Sequence, residues 1–386
     1  MKETHEFLVP DYFPEFKCKM GACRHSCCEG WPVTVSLEEY FRLLNVECGT
    51  ELRERIDASL RLLPQRTPDE YAEISHDYTG QCQLRMADGR CALHAEAGED
   101  ALAPLCRLYP RGVRSEGGFE CACACSCEKT LELLAERKTP LRFIPQAMTI
   151  DMPENPGRSV RFETFGREQE IRLYFIGIIQ DRRSALYERL IRLSDAIAAM
   201  EGALKEKHEA AINALLYKDF VMAHAASSSP QTALAFGLEI ARQLVEIMDA
   251  HSAALRDYGQ AALTYFGSGE TALERYRSAR AGFETAFPDW ETFFENMLVN
   301  HMFFSRFPVQ DRPDSLSAEK IALDAIYALL RFTGIGCGAR TLDELIDIYH
   351  AVFRLIDHTD FDRYAGRLLE KLGCGTADKQ RNLLML

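Results

Sequence analysis

Four cysteines in one short loop restrict what the beginning of this chain can fold into. The loop at residues 16–32 contains Cys18, Cys23, Cys27 and Cys28, spaced C-x4-C-x3-C-C. A thiol that packs as a small hydrophobic residue gains nothing from such neighbours, whereas a metal ion needs several thiolates that converge from a short loop. Glycines and a proline around the cysteines supply the turns that let the loop fold back. The spacing therefore predicts a metal or cluster site.

The adjacent pair Cys27-Cys28 indicates that the loop does not complete the site alone. Neighbouring residues tend to point in different directions, so we expect one member of the pair to join a given centre and further ligands to come from later in the chain. Twelve of the 14 cysteines lie within the first 127 residues. The later candidates in this region are Cys48, Cys82, Cys91, Cys106, Cys121, Cys123, Cys125 and Cys127.

Two local patterns refine this set of later cysteines. An Asp88-Gly89 turn between Cys82 and Cys91 predicts a hairpin that brings both thiols to its open end. The alternating cysteines at 121, 123, 125 and 127 would share one face of a strand, about 6.7 Å apart, which is too far for all four to bind one ion. Some of these four are therefore expected to be ordinary core residues.

Composition and charge narrow the class of protein. The chain has 386 residues, 47% of them hydrophobic, and a net charge of −13, which disfavours nucleic acid and favours a protein partner. The N-terminus lacks the apolar core of a signal peptide, and nowhere do eighteen or more apolar residues run together. We therefore expect a cytoplasmic protein with no membrane partner, in which disulfides are rare and cysteines serve as ligands or redox groups.

Helical periodicity dominates the second half of the chain. Capping boxes at Ser36–Glu39 and Thr341–Glu344 each predict a helix start, and residues 168–200 carry an amphipathic period broken once. Prolines and glycines cluster between these regions. We predict a mainly α fold in three parts: a cysteine-rich metal or iron-sulfur domain with short β-strands at 1–136, a connecting segment at 137–166 and an all-α domain at 167–386.

The order of motifs in the first third resembles the flagellin lysine-N-methylase family, and more broadly proteins with a cysteine-rich zinc- or iron-chelating domain. The resemblance is strong over residues 7–135 and weaker at Met297–Pro308. The motifs are Cys18-x4-Cys23-x3-Cys27-Cys28-x-Gly30-Trp31, Cys82, Asp88-Gly89-x-Cys91, Cys106-x2-Tyr109-Pro110-Arg111 and Ser126-Cys127-x-Lys129.

The resemblance implies an enzyme that methylates lysine side chains of flagellin, the protein of the bacterial flagellum, or of another protein. It also implies S-adenosylmethionine as methyl donor and an iron-sulfur cluster (4Fe-4S), or zinc, on the cysteines. Eight residues fall on family cysteines: Cys18, Cys23, Cys27, Cys28, Cys82, Cys91, Cys106 and Cys127. The first set expected to hold the cluster is either Cys27 or Cys28 together with Cys82, Cys91 and Cys106.

Lysine methylation needs a way to remove a proton, since about one lysine in two thousand is neutral at pH 7. A carboxylate or tyrosine could take that proton, which makes Tyr109 and Glu99 the catalytic candidates. For Tyr109-Pro110-Arg111 the alternative is a structural turn. His301, in the helical half, is expected to be a core-edge or surface group.

The site for S-adenosylmethionine lacks the usual signals. No strand followed by a glycine-rich turn into a helix is present, and Gly334–Gly338 is interpreted as a helix end. The spacing C-x3-C-x2-C of radical enzymes that use this donor is also absent. An iron without a cysteine ligand could chelate the donor, with Arg107 or Arg111 neutralising its carboxylate.

Two other classes of function remain open at this point. A structural zinc ion with no visible absorption would indicate a zinc-stabilised protein-binding module. A reversible cluster without methyl transfer would indicate an iron-sulfur protein of electron transfer or sensing.

Overall fold

The computed structural model describes residues 4–30, 33–115, 118–150, 164–218, 229–249, 253–308 and 315–386. The secondary structure is mainly helical with two small sheets, which confirms the predicted mainly α class. Within these ranges, no helix is long and apolar enough to cross a membrane. The motif residue Trp31 lies outside the described residues.

The strands and helices are numbered along the chain. The strands are β1 (Thr4–Pro10), β2 (Val33–Val35), β3 (Leu60–Leu62), β4 (Ala72–Ile74), β5 (Arg111–Arg114), β6 (Glu120–Cys123) and β7 (Phe143–Thr149). The helices are α1 (Leu37–Leu44), α2 (Thr50–Ser59), α3 (Ala92–Ala97), α4 (Pro104–Leu108), α5 (Glu128–Glu136), α6 (Glu168–Ile179), α7 (Leu186–Lys205), α8 (Glu209–Leu216), α9 (Pro230–Asp249), α10 (Ala253–Phe266), α11 (Gly269–Ala286), α12 (Trp290–Phe304), α13 (Leu316–Gly336), α14 (Leu342–Ile356), α15 (Phe361–Lys371) and α16 (Ala377–Leu384).

The chain forms two compact units. The small unit comprises Glu15–Gly112 and Cys127–Lys129. The large unit comprises Met1–Pro14, Val113–Ser126 and Thr130–Leu386. Each unit has its own sheet and its own buried apolar residues.

A three-stranded antiparallel sheet, in the order β2-β4-β3, belongs to the small unit. Val33 and Leu60 both pair with Ile74, and buried residues of β2 and β4 belong to one apolar cluster with residues of α1, α2 and α3. Helix α1 begins with the predicted capping box: the Glu39 amide donates to Ser36 Oγ (3.2 Å), and the Ser36 amide donates to Glu39 Oε2 (2.7 Å). Among the described residues, the apolar cluster of this unit has only twelve buried members, so a metal could add much to its stability.

A four-stranded sheet, in the order β5-β6-β1-β7, belongs to the large unit. Strand β1 pairs antiparallel with β7 along its whole length and parallel with β6, where Leu8 pairs with Glu120. Side chains of β6 are buried on both faces, and Cys121 and Cys123 lie among them. Cys125 just beyond is buried too, which agrees with the expectation that some of these cysteines are core residues.

Helix α13 is the centre of the helical part, because nearly all of its residues are buried. It packs against α7, α9, α10, α14, α15 and α16. Its last turn contains Gly334 and Gly336. A Cβ on Gly334 would lie 2.4 Å from the Tyr349 hydroxyl oxygen, and a Cβ on Gly336 would lie 2.6 Å from Ala262 Cβ. Gly338 follows with φ +67°, so this glycine-rich stretch is a helix end, as predicted.

The two units divide the chain differently from the three predicted segments. Residues 1–14 and 113–126 precede the predicted connector, yet they group with the helices, because β1 and β6 share a sheet with β7. Within the predicted connector, residues 143–149 form that strand β7, and residues 151–163 lie outside the described residues. The predicted amphipathic period at 168–200 forms α6 and α7, with one break between them.

Candidate functional site

All eight predicted cysteine ligands lie in the small unit. They form two sets of neighbouring thiols. The first thiol group consists of Cys28, Cys82, Cys91 and Cys106. The second thiol group consists of Cys18, Cys23, Cys27 and Cys127.

Short backbone segments position the first thiol group. The Cys82 amide donates to the Cys28 carbonyl oxygen (2.9 Å), which ties the early loop to the later one. Cys91 pairs with Arg85 across the predicted Asp-Gly turn and then caps the start of α3. Cys106 lies within α4. This turn is closed by one isolated bridge rather than by the two full strands of a hairpin.

The electrostatics of the first thiol group indicate mutual proximity. Cys106 is an exposed residue, yet partial burial of its thiol and then the charges of the other three members raise its pKa to about 12. Burial also raises the pKa of Cys82 to about 11, with Cys28 and Cys91 adding to the effect. The pKa of Cys91 is raised by burial and by Cys28. A negative charge on one thiolate thus disfavours ionisation of the neighbouring thiols. A bound cation would reverse this effect.

The second thiol group is assembled from the early loop and the residue before α5. Burial raises the pKa of Cys23 to about 12, helped by the charges of Glu128, Cys127 and Cys18. The thiol of Cys27 interacts with the same two cysteines, Cys18 and Cys127. The charge of Cys127 thus affects thiols of the early loop, although about a hundred residues of sequence separate the two.

The adjacent residues Cys27 and Cys28 are in direct contact, although they interact with different further cysteines. The Cys27 thiol donates a hydrogen bond to the Cys28 sulfur, which lowers the pKa of Cys28 and raises that of Cys27. Arg85 also lowers the pKa of Cys28. Of the two residues left open by the sequence, Cys28 is the one that interacts with Cys82, Cys91 and Cys106.

Two glycines let the early loop cross the turn between Cys82 and Cys91. Gly21 and Gly89 both have positive φ, +97° and +85°. A Cβ on Gly89 would lie 2.4 Å from the Gly21 carbonyl oxygen, and a Cβ on Gly21 would lie 2.5 Å from the Gly89 carbonyl carbon. Only glycine accommodates both the backbone angle and the contact, so the crossing fixes where the two cysteine-bearing segments meet.

Glu128 is a further site residue that the sequence analysis missed. Its buried carboxylate accepts hydrogen bonds from the backbone amides of Arg24 (2.8 Å) and His25 (3.2 Å) and pairs with the Lys19 ammonium group. It thereby holds the loop between Cys18 and Cys27. No sequence signal pointed to it except its position directly after Cys127.

The thiols are neighbours without forming a finished metal site. Among the described residues, no group of three or more His, Cys, Asp or Glu side chains is arranged so that it could hold a metal ion. The raised pKa values mean that most of these thiols carry protons at neutral pH. A metal would have to displace the protons and draw the sulfurs inward.

The predicted catalytic and donor-binding residues also lie in the small unit. Glu99 is exposed in a short 3-10 helix, and Tyr109 is half-buried at the end of α4, before a cis peptide bond to Pro110. Arg111 donates to the Arg107 carbonyl oxygen (3.4 Å), and its guanidinium lies 5.6 Å from the Phe16 ring centre. Their roles in catalysis and donor binding stay predictions.

A separate polar network is buried in the large unit, on helix α12. The Tyr12 hydroxyl donates to Asn300 Oδ1 (2.6 Å), and Asn300 Nδ2 donates to the Cys123 carbonyl oxygen (2.9 Å). The next residue, His301, is buried between Asp357 (3.3 Å) and Asp362 (3.6 Å). His301 is therefore a core residue with two carboxylate partners, and the expectation of an edge or surface group is wrong.

Comparisons with known proteins add an independent observation. The family described as FliB lysine N-methylase C-terminal domain matches residues 172–380, more than half of the chain. A Lysine-N-methylase of Salmonella typhimurium and one of Salmonella choleraesuis are each 26% identical over 106 residues, which cover 26% of this chain and 25% of the relative. The Flagellar biosynthetic protein FliU of Salmonella muenchen is 24% identical over 106 residues, 26% of this chain and 60% of that protein. The match thus spans about a quarter of the length of the two lysine-N-methylases. No solved structure gives a significant match.

Proposed function

Because the chain belongs to the FliB lysine N-methylase family, we propose that it is a protein lysine N-methyltransferase that acts on flagellin and takes the methyl group from S-adenosylmethionine. The family match over the helical part carries this proposal. The names of the Salmonella relatives support it, since they include both a lysine-N-methylase and a flagellar biosynthetic protein. The cysteine motifs of the small unit agree with the same assignment.

The proposed reaction moves one methyl group and releases one proton. The lone pair of the lysine Nζ attacks the methyl carbon of the donor as the carbon–sulfur bond breaks, which leaves S-adenosylhomocysteine. The ammonium form has no lone pair, so a proton must leave before the attack. Tyr109 and Glu99 remain the candidate acceptors of that proton. Exposed Glu99 would need bound substrate to exclude water from it, whereas Tyr109 is already half-buried.

The first thiol group fits an iron-sulfur cluster by the chemistry of its donors. The group has four thiols, and the charges of the other three affect Cys106; their number matches the four cysteines that a 4Fe-4S cluster takes. When bound, such a cluster supplies a redox-active centre that joins the four segments bearing its ligands. With four cysteine ligands, every iron of the cluster has a protein ligand. This ligand set therefore argues against chelation of the methyl donor by iron. Recognition of the donor carboxylate then falls to Arg107 and Arg111.

The test is methyl transfer by the full chain, purified without oxygen, to purified flagellin with isotope-labelled S-adenosylmethionine. We expect label on flagellin lysines, located by peptide mass spectrometry. Cys82→Ser removes one member of the first thiol group and is expected to lose the cluster and the activity together. Cys48→Ser is the matched control, because Cys48 is a half-buried cysteine of the same unit outside both thiol groups.

Two results would contradict the proposal in different ways. Bound zinc without iron, together with no labelling of flagellin, would favour a zinc-stabilised binding module. An iron-sulfur cluster that is reduced and reoxidised reversibly, again with no labelling, would favour a redox protein. Activity that survives Cys82→Ser would leave the methyltransferase assignment intact and remove the cluster from it.

A further inference from the structure

A cavity in the large unit is lined by charged side chains that the proposed reaction does not use. It has a volume of about 200 Å³ and lies between the start of α13 and helix α15. Helix α13 contributes Ala318 and Glu319, and α15 contributes Asp362, Arg363, Arg367 and Glu370. All of these residues lie within 172–380, the part of the chain that matches the family.

The cavity has a buried end and an open rim. Glu319 is only 7% exposed, whereas Arg367 and Glu370 are exposed residues. At Gly366 the two helices approach closely, since a Cβ there would lie 3.0 Å from the Ala318 carbonyl oxygen. An engineered protein cavity of about 150 Å³ holds a benzene molecule. The present cavity therefore has room for a four-carbon side chain rather than for a single ion.

Asp362 is held in place by a buried network. Its Oδ2 atom lies 3.6 Å from His301 Nε2, and His301 Nδ1 lies 3.3 Å from Asp357 Oδ1. Asp357 Oδ2 accepts a hydrogen bond from the Ser126 amide (3.1 Å). Even a protonated His301 balances only one of these two carboxylates. Asp362 thus brings a fixed excess of negative charge to the wall of the cavity.

The charges around the cavity favour a cation over an anion. The start of α13 would attract an anion, but its Ser317 amide already donates to Glu201 Oε2 (3.0 Å). Arg363 pairs with Asp360 (3.3 Å). With these direct partners included, carboxylates outnumber cationic groups: the carboxylates are Glu319, Asp357, Asp360, Asp362 and Glu370, and the cations are His301, Arg363 and Arg367.

We propose that this cavity binds the side chain of a lysine of the protein substrate, with its ammonium group between Glu319 and Asp362. Lysine fits because its ammonium group is a compact charge with three hydrogen-bond donors on a slender four-carbon stem. The net charge of −13 favours a basic partner in the same way. The bound lysine is a docking contact, distinct from the lysine that is methylated. The inference rests on the proposed function in taking a lysine-bearing protein as the partner.

The experiment titrates the full chain, without methyl donor, with Nα-acetyl-lysine methylamide and follows binding by calorimetry. Nα-acetyl-norleucine methylamide, which has the same carbon chain without the ammonium group, should bind at least about tenfold more weakly, since it makes no charge-assisted hydrogen bond. Glu319→Gln should weaken binding of the lysine compound by about tenfold for the same reason. Glu274→Gln is the matched control, because Glu274 is an exposed glutamate of the same unit that does not line the cavity.

A second variant guards against misfolding, because Glu319 is buried. Glu370 lies at the exposed rim, so Glu370→Lys reverses a charge there without disturbing the core. It should weaken binding of the lysine compound several-fold, and Glu274→Lys should not. Helical circular dichroism establishes that each variant is folded. In the methyl-transfer assay, Glu370→Lys should raise KM for flagellin several-fold and leave kcat unchanged, as expected of a docking contact.

Three outcomes would overturn the proposal. Equal affinity for the lysine and norleucine compounds would show that the ammonium group is not recognised. Unchanged affinity in folded Glu319→Gln and Glu370→Lys would place lysine binding outside this cavity. A lower kcat with unchanged KM in Glu370→Lys would contradict a docking role. The binding measurements need no methyl transfer: lysine binding without labelling of flagellin would refute the proposed function alone, and labelling without lysine binding would refute this site alone.

Discussion

The replacement His301→Gln tests whether the buried histidine of α12 carries a charge. Burial alone would lower the pKa of His301, but the carboxylates of Asp362 and Asp357 on either side of the ring raise it to about 10, from an ordinary value of 6.5. Such a shift corresponds to about 5 kcal/mol of differential stabilisation. Breaking a buried ion pair from one side costs about 3–5 kcal/mol. We therefore expect the variant to lose about 3–5 kcal/mol in the free energy of unfolding near pH 6.5.

The pH dependence distinguishes a charged histidine from a merely well-packed one. The folded pKa is raised above the unfolded value, so the folded state holds a proton that the unfolded state releases above pH 6.5. The stabilisation is complete below about pH 6.5 and is lost as the pH rises through about 10. The difference between wild type and variant should fall by about 1.4 kcal/mol per pH unit within that window.

Urea denaturation followed by helical circular dichroism, at several pH values from 6 to about 9.5, measures this difference. His208→Gln is the control, because His208 is an exposed histidine of the same unit and should behave as wild type. A difference between wild type and His301→Gln that stays constant over the range would refute a protonated His301.

Three further replacements test other contacts. Gly89→Ala places a Cβ 2.4 Å from the Gly21 carbonyl oxygen and should lower the metal content several-fold. The control Gly80→Ala, at a similar φ of +83° with open space around it, should retain the metal. Equal metal content in the two variants would refute the crossing. Tyr12→Phe leaves a buried backbone amide without its acceptor and should cost about 1–3 kcal/mol in urea denaturation. Glu295→Gln, buried between two arginines, should cost about 3–5 kcal/mol and lower the melting temperature, and an unchanged melting temperature would contradict the pairing.

Local patterns explain what could be predicted from the sequence. The capping boxes at Ser36 and Thr341 are both present, because a cap is made by residues three positions apart. The glycine-rich stretch after α13 ends a helix for the same local reason.

Partners distant in sequence could not be predicted in this way. The family resemblance gave eight candidate thiols and a first set of four in which Cys27 or Cys28 was left open. It did not place Cys127 near the early loop, because Cys127 reaches its neighbours only through the path of the folded chain. Glu128 and His301 gave no signal, since their roles depend on backbone amides and carboxylates supplied by other segments. Strand β1 likewise acquired its partners β6 and β7 from more than a hundred residues away.

The sequence by itself determined the chemistry that is available: a cysteine-rich first third, a helical remainder, and the positions of turns and caps. These follow from residue types and short-range periodicity, which act over a few residues. Only the tertiary structure decided which thiols are neighbours, which carboxylate holds the cysteine loop and which histidine is buried between two acids. These features depend on contacts that form when segments distant in sequence pack together. The free energy of that packing is distributed over the whole fold, so no single stretch of sequence determines it.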